Sequence, residues 1–382
     1  MFKRVQSFSG LGAKSCFFWG PRQTGKSTLL KQLFPDAPYY DLLLSDMFLR
    51  LSIKPSLLRE QVLSLPVSKT PVIIDEVQKI PLLLDEAQWL IVNKGVRFIL
   101  CGSSARKLKR SGANLLGGRA LRYEMFPLVY PEIPNFRLNT ALNNGLLPVH
   151  YQEPEGQAKN LLLAYVTQYL KEEIEQEAIS RKIPLFHRFL ENAAFSNGEV
   201  VNFSNIAREC GVSSPTVKEY FKILTDTLLG RFLPAYMKRP KRRVVESPKF
   251  YFFDIGIVNY LLNRSNIVPG IEIFGKALEH FIFQEISSHS HYSGKNYPVS
   301  YWRTSSGYEV DFISGDPPIA IEVKGTDMIQ THHLKGLKAF KEEYPRAKCI
   351  AVSLDSKPRV SGNIQIYPWK IFLELLWNGE LI

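Results

Sequence analysis

One stretch, Gly20-Pro21-Arg22-Gln23-Thr24-Gly25-Lys26-Ser27, constrains this chain more than any other. The pattern G-x-x-x-x-G-K-[ST] works only between a strand and a helix, because the loop must curl around a phosphate while the helix N-terminus points at it. Both flanks read that way, with the apolar run Ser15 to Trp19 before the loop and a helical stretch opening Thr28-Leu29-Leu30 after it. The N-terminal part is therefore expected to be an α/β domain with a parallel sheet. Glycines permit the curl, Lys26 reaches the β and γ oxygens of a nucleotide, and the Ser27 hydroxyl completes a magnesium shell. The expected nucleotide contacts are Gly20, Pro21, Arg22, Gln23, Thr24, Gly25, Lys26, Ser27 and Thr28.

Two further runs, Val72 to Ile74 and Arg97 to Cys101, are too apolar to have a wet face and read as buried central strands. The first ends in Asp75-Glu76. At a strand end Asp75 can hold magnesium through water, and Glu76 beside it can polarise an attacking water. The second ends in Gly102-Ser103-Ser104, where a Ser103 hydroxyl between the nucleotide motifs and a Ser-capped turn are equally open readings. Arg119, after Leu115-Leu116-Gly117-Gly118, suits an arginine finger on a γ-phosphate or a plain surface position, and the residues alone weigh these equally.

A length of 382 residues favours two or three domains. Asn135 to Gly156, rich in Asn, Pro and Gly, offers a boundary, giving expected domains at 1–150, 151–248 and 249–382. The middle one turns helical from Ala158 to Glu177. Within it Asn202 to Ser213, then Ser214-Pro215-Thr216-Val217, has the form of a helix-turn-helix, with Gly211 in the turn, Ser214 as cap and Ile206, Ala207, Val212 and Val217 as its small core. Lys238-Arg239-Pro240-Lys241-Arg242-Arg243 follows, a solvated surface run or a nucleic-acid contact.

The last part holds an aromatic strand near Lys249 to Asp254, a helix over Gly275 to Ser288, and short strands at Val299 to Arg303, Glu309 to Ile313 and Ile319 to Val323. Residues two apart on a strand share a face, so Glu322 and Lys324 point the same way and a neighbouring strand can bring Asp311 beside them. Asp311 and Glu322 with Lys324 make a candidate magnesium site for phosphodiester hydrolysis, and Glu279 on the preceding helix can supply a further oxygen. The plain alternative is an ordinary half-exposed strand.

Together the nucleotide motifs, including Ile74-Asp75-Glu76-Val77-Gln78-Lys79-Ile80-Pro81, Gly102-Ser103-Ser104 and Gly118-Arg119, resemble those of a prokaryotic group of AAA+ ATPases. In that group the ATPase core is followed by a helical, winged-helix-like part and a restriction-endonuclease-like domain. The resemblance covers nearly the whole chain. It departs at Cys101, where the group has Thr, so the sensor role carried to Ser103 shifts by one or two positions. The resemblance implies ring-like homo-oligomers, hexamers among them, with Arg119 acting on a neighbour's nucleotide. Glu279, Asp311, Glu322 and Lys324 likewise look like a PD-(D/E)XK nuclease core.

The cofactors expected are thus ATP and Mg2+. Lys and Arg number 48 against 36 Asp and Glu, a net charge of +12 that favours a polyanionic partner, nucleic acid before membrane. Cys16, Cys101, Cys210 and Cys349 lie far apart without metal spacing, and no apolar run approaches the roughly 20 residues that span a bilayer, so a cytoplasmic protein is expected. The leading expectation is an ATP-hydrolysing protein that binds and remodels or translocates DNA, branched or duplex forms favoured. The alternatives are an ATP-gated, metal-dependent deoxyribonuclease and a nucleotide-controlled binding module without cleavage.

Overall fold

The computed structural model describes residues 2–65, 71–103, 106, 108, 116–170, 183–238 and 242–382. Its chain forms two compact units. Lys3–Pro127 and the short piece Asp226–Leu229 make the first; Leu128–Thr225 and Gly230–Ile382 make most of the second.

The first unit is built on β1 (Ser15–Trp19), β2 (Tyr39–Asp41), β3 (Val72–Asp75), β4 (Phe98–Gly102) and β5 (Ala120–Glu124), in the order β2-β3-β4-β1-β5. Every pairing is parallel. Alternation along the central strands feeds two cores. Phe17, Trp19, Ile74 and Leu100 face one side, while Cys16, Phe18, Ile73, Ile99 and Cys101 face the other. Leu228, from the piece that returns late in the chain, sits in the first of these cores. Beside it Arg106, only 7% exposed, meets Asp226 at 2.8 Å.

The first compact unit runs to Pro127. The Asn-, Pro- and Gly-rich stretch Asn135 to Gly156 and the residues after it form the helices Leu138–Asn144, Pro148–Gln152 and Glu155–Ala164 inside the second unit. Its polar residues serve packing. Asn143 Nδ2 donates to the Ile267 carbonyl at 3.0 Å, and the Leu146 amide donates to Asp254 Oδ2 at 2.7 Å. The end of the helical pattern expected over Ala158 to Glu177 lies outside the described residues.

The helix-turn-helix form is present as helices Phe203–Cys210 and Ser214–Asp226, with Gly211 at φ 67° between them. The cap is Ser213 rather than Ser214: its hydroxyl accepts from the Thr216 amide at 3.3 Å, which leaves Pro215 in the second helical position. A two-stranded antiparallel ribbon follows, β6 (Gly230–Leu233) against β7 (Lys249–Phe252).

The remaining sheet orders six strands as β12-β13-β11-β10-β9-β8, where β8 is Val299–Arg303, β9 Glu309–Ser314, β10 Ile319–Val323, β11 Lys348–Ser353, β12 Arg359–Ser361 and β13 Ile364–Pro368. The strands β8, β9 and β10 run antiparallel, and β10 and β11 run parallel across the helix Lys335–Glu343. The helix Glu272–Tyr292 precedes them, longer at both ends than the pattern Gly275 to Ser288 implied. No helix among the described residues is long and apolar enough to cross a membrane.

Candidate nucleotide site and the C-terminal acidic cluster

A parallel sheet delivers the C-terminal ends of its strands to one edge, and that edge gathers the nucleotide motifs. The loop after β1 turns through positive φ at Gln23 (62°) and Gly25 (91°). Gly20 must be glycine, because a Cβ there would stand 2.6 Å from the Met125 carbonyl oxygen. Lys26 is 6% exposed and folds back, its Nζ donating to the Gly20 and Pro21 carbonyls at 2.7 and 3.0 Å. Such an ammonium holds the loop in shape and can swing to phosphate oxygens when they arrive.

Asp75, 2% exposed at the end of β3, accepts the Ser27 hydroxyl at 2.6 Å on Oδ2. Tyr39, from the edge strand β2, donates to the same oxygen at 2.6 Å. Burial first and the Asp75 charge second push the Tyr39 phenol above its ordinary range, so it stays a donor. Burial, with Asp75 behind it, also raises the Cys101 thiol. A hydroxyl beside a carboxylate with oxygen donors only is the set magnesium takes, so Ser27 and Asp75 fit that ion.

Glu76 follows at φ 58°, a left-handed backbone uncommon for a residue with a side chain. Its carboxylate accepts from Gln78 Nε2, which also donates to Ser103 Oγ at 3.1 Å. Ser103 is 2% exposed and joins the site through Gln78, while Ser104 lies outside the described residues. Arg119 is exposed and precedes β5. The register pairs Ala120 with Ser15 and Glu124 with Trp19, which puts Arg119 beyond the end of β1 remote from the loop, about 16 Å along the strand. It is not gathered with its own chain's nucleotide motifs.

In the second unit the pairing Ile321 with Phe312 sets Asp311 opposite Glu322 one step on, as the strand periodicity anticipated. Lys324 Nζ meets Glu322 Oε1 at 2.5 Å, and the Val323 amide donates to Asp311 Oδ2 at 2.7 Å. Glu279 joins them, accepting from the Tyr251 hydroxyl. Burial raises its carboxyl to about 7 against the pull of Lys249. Lys249 is the residue that sequence reading missed. It is 2% exposed at the start of β7, with its Nζ 2.6 Å from Glu309 and 3.4 Å from Glu279. Burial lowers its pKa, but Glu279, Asp311 and Glu309 more than reverse this, so it remains an ammonium.

Two ammonium groups therefore already serve these acids. Only Glu322 Oε2 is a buried carboxylate oxygen of the cluster without a partner. Among the described residues no group of three or more His, Cys, Asp or Glu could hold a metal ion. In this arrangement Lys249 pairs with Glu279 and Glu309, and Lys324 with Glu322.

Residues 13–134 match a family model described as an AAA domain. Over those residues the first unit is similar to an AAA domain. Residues 135–267 and 274–372 match two domains of unknown function, DUF8612 and DUF4143. An uncharacterized protein of Mycobacterium tuberculosis is 25% identical over 316 residues, covering 80% of this chain and 69% of that protein. An uncharacterized protein of Methanocaldococcus jannaschii is 24% identical over 413 residues, with 94% and 84% covered. Among solved structures, the Aeropyrum pernix ORC1 protein in complex with DNA aligns at a TM-score of 0.24 with 12% identity over 65% of this chain and 86% of that one, too low to bear on fold or function.

Proposed function

We propose that this protein hydrolyses ATP with magnesium and couples the nucleotide state to a grip on DNA. The observation that carries the enzymatic half is the 2.6 Å contact of Ser27 with Asp75, with Glu76 next in sequence. Magnesium at Ser27 and Asp75 would neutralise charge on the phosphate oxygens. Lys26 leaves the Gly20 and Pro21 carbonyls for the β and γ oxygens, and Glu76 takes the proton of the attacking water while Gln78 fixes its carboxylate. In this reading Arg119, remote from its own loop, serves an adjacent copy in a ring-like homo-oligomer, hexamers among the candidates.

The DNA half rests on the net charge of +12 and on the helix-turn-helix followed by a ribbon, which we read as winged-helix-like. Part of the cationic run after it, residues 239–241, lies outside the described residues. Lys238 pairs with Asp316 at 2.9 Å. The order of one helix, three antiparallel strands, a helix and a parallel strand supports a restriction-endonuclease-like C-terminal fold. Its engaged acids favour gripping over cutting.

Steady-state ATP turnover with magnesium, with and without duplex, single-stranded and four-way-junction DNA at two salt concentrations, tests this reading. Turnover stimulated by one DNA form and absent in Lys26→Ala and Glu76→Gln is the result expected. Turnover unaffected by either substitution defeats the enzymatic half, and turnover indifferent to every DNA defeats the other.

A further inference from the structure

Within the second unit a cavity of about 760 Å³ opens beside the acidic cluster. Its charges can be accounted for pair by pair. Glu309 is held by Lys249 at 2.6 Å and by Arg303 at 3.5 Å, Glu322 by Lys324 at 2.5 Å, and Glu342 by Arg242 at 2.9 Å. Each carboxylate in the wall thus has its own cation. Lys335 and Lys338 also line the cavity, both exposed, three residues apart on one helix face, and neither pairs with a carboxylate among the described residues.

Every wall carboxylate is matched by a cation, and the surplus charge is positive. The close approach of the helix is fixed by Gly336, where a Cβ would stand 1.8 Å from the Glu309 carbonyl oxygen, so the two lysines are held at the mouth. Tyr308, 40% exposed, lines the same cavity with the Arg242 guanidinium 5.5 Å from its ring centre. An aromatic face beside cations suits a base next to its phosphate. The volume far exceeds one phosphate ion, given that a water occupies roughly 30 Å³.

We propose that this cavity is a metal-independent site for a nucleic-acid strand, with Lys335 and Lys338 taking backbone phosphates, Tyr308 stacking a base, and Lys249 serving as the permanent counter-ion of the acids behind them. The site rests on the DNA reading above and gives that reading an address. The grip needs no metal, because its charge comes from Lys335 and Lys338, which no carboxylate among the described residues neutralises.

The test is fluorescence anisotropy of labelled single-stranded and duplex DNA with the full chain, without nucleotide, in EDTA and in magnesium or manganese. The wild type is expected to bind equally with and without metal and to leave the DNA intact. Lys335→Ala with Lys338→Ala, both at exposed positions, should weaken binding about tenfold and reduce the salt slope by about two, and thermal melting checks its fold. Tyr308→Ala should weaken single-stranded binding further. Binding that requires metal, or cleavage lost in Lys324→Ala, overturns the site. Undiminished DNA binding by the double variant overturns the site while sparing the DNA reading; no binding by the wild type overturns the site, and the DNA reading falls with it only if ATP turnover is also indifferent to every DNA.

Discussion

The side-chain amide of Gln78 joins Glu76 to Ser103, its Nε2 donating to the carboxylate of one and to the hydroxyl of the other. The amide is wedged in place: a Cβ at Gly102 would stand 2.1 Å from its Oε1. Gln78 is thus a positioning residue for the group assigned to the attacking water. Gln78→Ala should lower kcat about tenfold with KM for ATP near wild type, because the loss falls on the chemical step and not on binding. Steady-state kinetics reads the split, and a rise in KM alone would assign Gln78 to nucleotide binding instead.

Tyr39 shares Asp75 Oδ2 with Ser27. Removing a hydrogen bond to a metal-holding carboxylate typically costs 10- to 100-fold in metal affinity. Tyr39→Phe is therefore expected to raise the magnesium concentration for half-maximal turnover by about tenfold, with nucleotide binding in EDTA unchanged. A magnesium titration of turnover measures it.

Gly145 lies at φ 79°, and a Cβ there would stand 2.1 Å from Asp254 Oδ1. Asp254 is fully buried and accepts the Leu146 and Gly256 amides at 2.7 and 2.8 Å. Gly145→Ala combines backbone strain with displacement of that carboxylate, and about 3 kcal/mol or more of stability should be lost. Urea denaturation followed by tryptophan fluorescence provides the measurement.

Much of the first unit was legible in the chain because its central strands are apolar on both faces: β1, β3 and β4 stand within a residue of where their hydrophobic runs place them. The edge strands β2 and β5 were not, since β5 leaves Arg122 exposed and β2 is three residues long. Asp311 and Glu322 were readable from strand periodicity, a local rule. Lys249 was invisible to that rule. It begins an aromatic strand and finds Glu279 and Glu309 only through the tertiary fold, at sequence separations no periodicity spans. Gln78 escaped for a different reason, being the polar residue that follows a more conspicuous acidic pair.

Glu285 is fully buried, accepts the Tyr130 amide at 2.9 Å and the Trp377 indole at 2.7 Å, and is pushed up to about 8 by burial. The folded chain then keeps a proton that the unfolded chain releases near 4.5. Stability contributed by this group is full below that pH and is lost as pH rises toward 8. Glu285→Gln cannot titrate, so the difference in unfolding free energy between variant and wild type should move in the variant's favour from pH 5 to pH 8. His150 and His280, pushed down to about 4 by burial, act oppositely on the acid side and cancel in that difference.

The return of Asp226–Leu229 to the first unit has a practical meaning for anyone who would cut this protein in two. A fragment ending at Pro127 contains every nucleotide motif yet lacks Leu228 from its core and the Asp226 carboxylate that meets Arg106. The nucleotide-binding unit is stitched shut by a thread drawn from the far end of the helix-turn-helix. Its smallest faithful excision therefore needs that thread supplied separately or spliced back.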